Sequence, residues 1–152
     1  MSRVILIALL LSFMGVPTLL SQSNSKATLE ITFTGIRSNR ELIAIGINKN
    51  PDGWPREPHL APNWKKTGIK DGVMTVKVEN LEYGIYAVSM LDDENGNLEM
   101  DHNFLGIPKE GYGFSQNPRV GMSAPKFEEC SFRIDDPVKK ITIEVGYMGK
   151  GK

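Results

Sequence analysis

Oxygen-bearing side chains occupy alternate positions along one short polar stretch: Asp93, Asn95, Asn97, Glu99 and Asp101. A loop with this pattern can curl round a hard cation, and Ca²⁺ takes about six to eight oxygens, often from alternate loop positions. In that reading Asp93, Asn95, Asn97 and Asp101 offer side-chain oxygens and Glu99 its backbone carbonyl. Phe104 stands where a closing bidentate carboxylate would be expected, so Glu110 would have to fold back to serve. The competing reading is a run of Asx turns, in which the same oxygens accept from the loop's own N–H groups.

A second set of residues suits a ligand surface. Trp54, Trp64, Tyr112 and Phe114 sit in segments rich in proline or glycine, and flat rings on loops suit sugars or peptides. The alternative is that the rings close the ends of the core. Catalytic chemistry has less support. His59 and His102 are the only histidines, and His102 flanks the acidic loop next to Asp101. No nucleophile elbow, zinc-protease motif or phosphate-cradling glycine loop is present. Asp92, Asp93 and Glu94 could do acid–base work, but a solvated acidic turn is the simpler expectation. Cys130 is the single cysteine, which excludes an internal disulfide framework and a cysteine-rich zinc site. It alternates with apolar residues, as a buried, inert thiol would.

The elements that must position these residues show period two. Leu29, Ile31 and Phe33 alternate with polar residues, as do Ile43, Ile45 and Ile47, and Met74, Val76 and Val78. Residues 85–91 are apolar on both faces, which suits a central strand. Residues 127–134 and 141–145 alternate again, and no convincing helix follows residue 23. Turn signals stand between them at Gly35, Ser38-Asn39, Lys70-Asp71-Gly72 and Asp135-Asp136-Pro137. The fold class expected is all-β: an antiparallel β-sandwich of about seven strands with two long loops, over residues 48–69 and 94–126. Tyr86 is expected to bury its ring and tie its hydroxyl to backbone, as in a tyrosine corner.

Eighteen basic residues balance eighteen acidic ones and are interspersed with them, so the basic footprint of nucleic-acid binding is missing. Arg3, the apolar run Val4 to Leu11, Pro17 and the serines at 21, 23 and 25 follow the order of a secretory signal. The expected organisation is a signal peptide over residues 1–23 and one domain over residues 24–152, exported to the periplasm or beyond. An uncleaved anchor is the alternative; the apolar run is short for a membrane span, which needs about 20 residues.

Gly53-Trp54-Pro55, the stretch Leu81 to Tyr86, Asp93-Glu94-Asn95-Gly96-Asn97 and above all Gly106-Ile107-Pro108-Lys109-Glu110-Gly111-Tyr112-Gly113-Phe114-Ser115 resemble domain-of-unknown-function family 2141 of exported bacterial proteins. The resemblance covers residues 29–145. It implies a small sandwich, immunoglobulin-like or transthyretin-like, exported by a Gram-negative bacterium, and it implies no reaction. The family pattern carries glycine where Leu98 stands. Together these readings point to a non-catalytic binding or accessory module of the cell envelope, with an unknown ligand or envelope protein as partner, no stable membrane anchor after signal cleavage, and a loop that Ca²⁺ could organise. The alternatives are a small periplasmic hydrolase using the acidic loop and His102, or a purely structural envelope protein.

Overall fold

Alternation in the sequence becomes a pair of facing apolar surfaces. The computed structural model describes residues 26–121 and 123–148; the expected signal peptide and the last four residues lie outside them. Strand β1 (Lys26–Thr34) turns Leu29, Ile31 and Phe33 inward. It pairs antiparallel with β4 (Met74–Glu82) and parallel with β8 (Val138–Glu144), giving a three-stranded sheet ordered β4-β1-β8. The second sheet is ordered β3-β2-β5-β6, from β2 (Leu42–Asn48), β3 (Asn63–Lys65), β5 (Gly84–Asp93) and β6 (Gly111–Phe114). A short β7 (Phe132–Ile134) pairs with the start of β5, beside β6. Ile43, Ile45 and Ile47 of β2 and Tyr86, Val88 and Met90 of β5 meet the inward face of β1 in one core. This is a β-sandwich, its sheets packed through alternate side chains.

The turns obey local chemistry. Asp71 and Gly72 both have positive φ (54° and 72°), and the Val73 N–H returns to the Lys70 carbonyl at 3.0 Å. Two consecutive positive-φ residues make the tight turn whose twist matches paired strands. The Tyr86 ring is buried and its hydroxyl donates to the Glu82 carbonyl at 2.7 Å, as a tyrosine corner requires.

The pairing is antiparallel as expected, except that β8 runs parallel to β1 in the smaller sheet. Three expectations are corrected. Residues 127–134 do not form one strand: Phe127–Cys130 is a single helical turn, α1, followed by β7. The helical turn places Phe127 and Cys130, three residues apart, on one side, where period two would put them on opposite faces; only Cys130, Phe132 and Ile134 keep the alternation, which is why it misled over the whole segment. The two long connections are not wholly loop. Each contributes an outer strand of the larger sheet, β3 in the first and β6 in the second. Residues 84–93 are central, but their outer face is only partly covered, with Ser89 and Leu91 half-buried.

Candidate ligand groove and the acidic loop beside it

The outer face of the five-stranded sheet carries the alternate residues Ala44, Gly46 and Asn48 of β2 and Ala87, Ser89 and Leu91 of β5. Their small size leaves a shallow floor. At one end this floor is roofed by a second apolar cluster, in which Ala87, Phe114, Phe127 and Cys130 are buried and Trp54 packs against them. The Trp54 ring lies 5.9 Å from Phe114 and 6.0 Å from Phe127, and its Nε1 donates to the Pro125 carbonyl at 2.9 Å. The other end has no roof. There Ala44, Gly46 and Ser89 floor a groove of about 690 Å³ whose lining also includes Pro55, Pro58, Leu98, Leu105 and Ile107, with Pro58 packed over Gly46. Its volume and apolar lining are those of a small-molecule site.

The acidic loop forms one wall of this groove. Asp93 is fully buried; its Oδ1 accepts from the N–H groups of Asn95 (3.2 Å) and Gly96 (2.6 Å), and its Oδ2 from Leu98 (2.8 Å). Asn95 Oδ1 accepts from Asn97 N–H at 3.1 Å, and Asn97 Oδ1 from Glu99 N–H at 2.8 Å. The Asn95 amide donates to Asp101 Oδ2 at 2.7 Å. Glu110 does fold back, and its buried carboxylate accepts from Glu94 N–H (2.9 Å) and Asp101 N–H (3.2 Å), pinning both ends of the loop. The alternating oxygens thus converge on one loop, and each that faces inward already has N–H partners. The Glu99 side chain is exposed. Among the described residues no group of three or more His, Cys, Asp or Glu side chains is arranged to hold a metal ion.

Leu98 is the irregular member. Its φ is +61°, the residue is 55% exposed, and it lines the groove. A leucine in the left-handed region is disfavoured by roughly 1–2 kcal/mol, and glycine would sit there without strain. Strained backbone of this kind clusters where a side chain has a task. Here the side chain extends the apolar wall.

Behind the loop lies a polar cluster that sequence reasoning missed. Asp92 and Lys66 are both fully buried in their side chains and form an ion pair. The Tyr147 hydroxyl donates to the other Asp92 oxygen, and the Arg37 guanidinium stacks 4.3 Å from the centre of the Tyr147 ring. Arg37 also binds Glu94 through two nitrogens, at 3.0 and 2.6 Å. The expected solvated turn at Asp92, Asp93 and Glu94 is therefore overturned: the first two are wholly buried and the third is engaged by Arg37. Two adjacent lysines, Lys65 and Lys66, gave no sign of their opposite fates, since only strand alternation turns the second one inward.

The remaining candidates separate. Tyr112 and Phe114 line the groove, and His102 stands at its edge, exposed. Among the described residues no hydrogen bond joins the His102 imidazole to Asp101. Trp64, opposite Ile43 on β3, packs against the main core and away from the groove. Gly111 and Gly113 leave no room for a side chain: a Cβ at Gly111 would strike Tyr147 and Val145, and one at Gly113 would meet the Glu144 carbonyl at 2.7 Å. They let β6 approach the end of β8. Cys130 is fully buried, and burial with Glu129 nearby pushes its thiol up to about 12, which keeps it unreactive.

A family model described as an uncharacterized protein conserved in bacteria matches residues 31–142. The chain belongs to this family, DUF2141. No curated protein and no solved structure matches it. The matched span of the DUF2141 domain runs from β1 to β8 and includes the groove, the acidic loop and Glu110.

The Arg37–Glu94 pair of this DUF2141 domain makes a pH dependence testable. Arg37, and then Ser38, hold the Glu94 carboxyl down to about 2 from an ordinary value of 4.5. Its folded value lies below its unfolded one, so its contribution is present above pH 4.5 and is lost as the pH falls toward 2. Arg37 is a third exposed, so the pair should be worth about 1 kcal/mol at most. Unfolding of wild type and Glu94→Gln should therefore differ at pH 6 and converge near pH 2. A difference that persists at pH 2 would mean the charge is not its source.

Proposed function

We propose that this domain is a non-catalytic binding module of the bacterial cell envelope, and that it takes its ligand in the groove on the outer face of the larger sheet. One observation carries the reading: a sandwich that roofs half of that face with Trp54, Phe114 and Phe127 leaves the other half open and apolar. Exposed apolar surface of this kind usually marks an interaction site. Export, suggested by the signal-like segment, would place it outside the cytoplasm. The test is fluorescence titration with the neutral apolar dye N-phenyl-1-naphthylamine. Saturable binding in the micromolar range is expected, weakened at least tenfold by Ala44→Trp, which raises the groove floor. Binding that Ala44→Trp leaves unchanged would place the ligand elsewhere.

The acidic loop is read as a wall that holds its own shape through Asx turns. Ca²⁺ is the competing occupant, favoured by the convergence of Asp93, Asn95, Asn97 and Asp101 on one loop. Thermal unfolding in EDTA and then in 10 mM CaCl₂, with MgCl₂ as control, separates the two. The Asx reading expects equal melting temperatures. A site with a dissociation constant near 10⁻⁴ M would add about 2.7 kcal/mol at a hundredfold excess of ion, or roughly 5–15 °C. A Ca²⁺-selective rise that Asp93→Ala removes would assign the loop to the metal.

A further inference from the structure

We infer that the groove takes a single-chain anionic amphiphile, its hydrocarbon chain on the floor of Ala44, Gly46 and Ser89 and its anionic head toward Arg56; this rests on the binding-module reading above. Charge supports the head. Among the described residues no carboxylate lines the groove, and the cationic side chain that does is Arg56, with His102 as the other ionisable nitrogen. Arg56 is exposed and enters no ion pair among the described residues, whereas Arg37, Lys49 and Lys66 are each paired. An unpaired guanidinium beside an apolar trough is complementary to a carboxylate or phosphate.

The backbone argues for a hydrocarbon chain over a peptide. Peptides bind sheets by adding a strand to an open edge. On the β2 side that edge is taken: the Ile45 and Ile47 N–H groups donate to Pro62 and Leu60 carbonyls, each at 2.9 Å. The next strand out, β3, is three residues long and directly follows Pro62. On the β6 side Tyr112 exchanges both backbone hydrogen bonds with Gly146, at 3.0 and 2.8 Å. A peptide laid in the groove would bury amide groups with few partners, which is costly. An acyl chain carries none. Leu98, held at a positive φ over the groove, adds apolar wall where glycine would give none.

The experiment is displacement of the bound naphthylamine dye from the purified protein by decanoate, decyltrimethylammonium and an uncharged tetrapeptide of alternating leucine and valine. Decanoate should displace at concentrations at least tenfold lower than either competitor, and Arg56→Glu should abolish that preference. Leu98→Gly, which relieves backbone strain, should keep the fold and lower decanoate affinity severalfold. Equal displacement by the cation, or a preference that survives Arg56→Glu, would overturn the anionic head and leave the groove standing. Stronger displacement by the peptide would overturn the acyl chain. Failure of the dye itself to bind would remove the binding-module reading with it. Lysophosphatidylglycerol as a further competitor distinguishes the source: displacement below the decanoate concentration marks a phospholipid product, and above it a free fatty acid, both within the proposed class.

Discussion

Lys66→Met should destabilise the domain by about 3–5 kcal/mol, the usual cost of stranding one member of a buried ion pair. The Lys66 and Asp92 side chains have no exposed surface, so water cannot take the place of the missing ammonium. Asp92 would keep the Tyr147 hydroxyl as a donor, but a hydroxyl leaves the negative charge uncompensated. In melting temperature the loss should read as roughly 10–20 °C. The double variant Lys66→Met/Asp92→Leu is the informative partner. It removes both charges and fills the space with apolar side chains, and such replacements are often neutral or better. Recovery of at least half of the lost stability would show that the penalty belongs to the unpaired carboxylate. A single variant that costs less than 1 kcal/mol would show that the pair is hydrated in solution.

The same cluster shows where the sequence stops being legible. Period two identifies β1, β2, β4 and β8, because local alternation records the face each one buries, and β5 is legible instead as a run apolar on both faces. The tyrosine corner and the Asp71-Gly72 turn are equally local, fixed by side-chain chemistry within a few residues. Strands β3 and β6 are not local. Asn63–Lys65 is too short to alternate, and Gly111–Phe114 carries two glycines that ordinarily weaken a strand. Both exist because β2 and β5 offer them edges, and in β6 the glycines are needed for close approach to Val145 and Tyr147. Lys66 and Asp92 lie 26 positions apart, and only pairing of both segments with β2 joins them.

The candidate site was legible in part. The acidic loop is visible as alternating oxygens, and Glu110 as a carboxylate that could reach back to it. The sequence offered both a cation and the loop's own N–H groups as partners for those oxygens, and what it could not fix was the backbone geometry that brings the N–H groups to them. The groove was less visible still. Its floor is made of small residues, Ala44, Gly46 and Ser89, that carry no chemical signature in a sequence. Its aromatic members, Tyr112 and Phe114, are distinctive, but so are Trp54 and Trp64, which pack into cores. One signal could have been used. Leu98 occupies the position where the loop calls for glycine, and a bulky residue at such a position asks for an explanation outside the backbone.

Asp93→Ala should loosen that loop and the groove wall together. The carboxylate accepts from three backbone N–H groups, those of Asn95, Gly96 and Leu98. Hydrogen bonds to a charged acceptor contribute about 1.5–3 kcal/mol each, but their loss is not additive. The loop is largely exposed, so water can satisfy part of what Asp93 leaves behind. A net loss of about 2–4 kcal/mol is expected on that basis, measured by urea unfolding. Asp93→Asn should lie between, since one amide oxygen can still accept while the NH₂ group opposes a neighbouring N–H donor. Hydrogen exchange gives the local readout. The Gly96 and Leu98 amides should lose protection in Asp93→Ala, while those of Ile45 and Val88 keep theirs relative to global stability. Because Leu98 owes its position to the bond from its own N–H to Asp93, dye affinity should fall severalfold in the same variant. Unchanged affinity with a destabilised loop would separate the two, and would mean that the groove is held by Pro55, Pro58 and the sheet floor without help from the acidic loop.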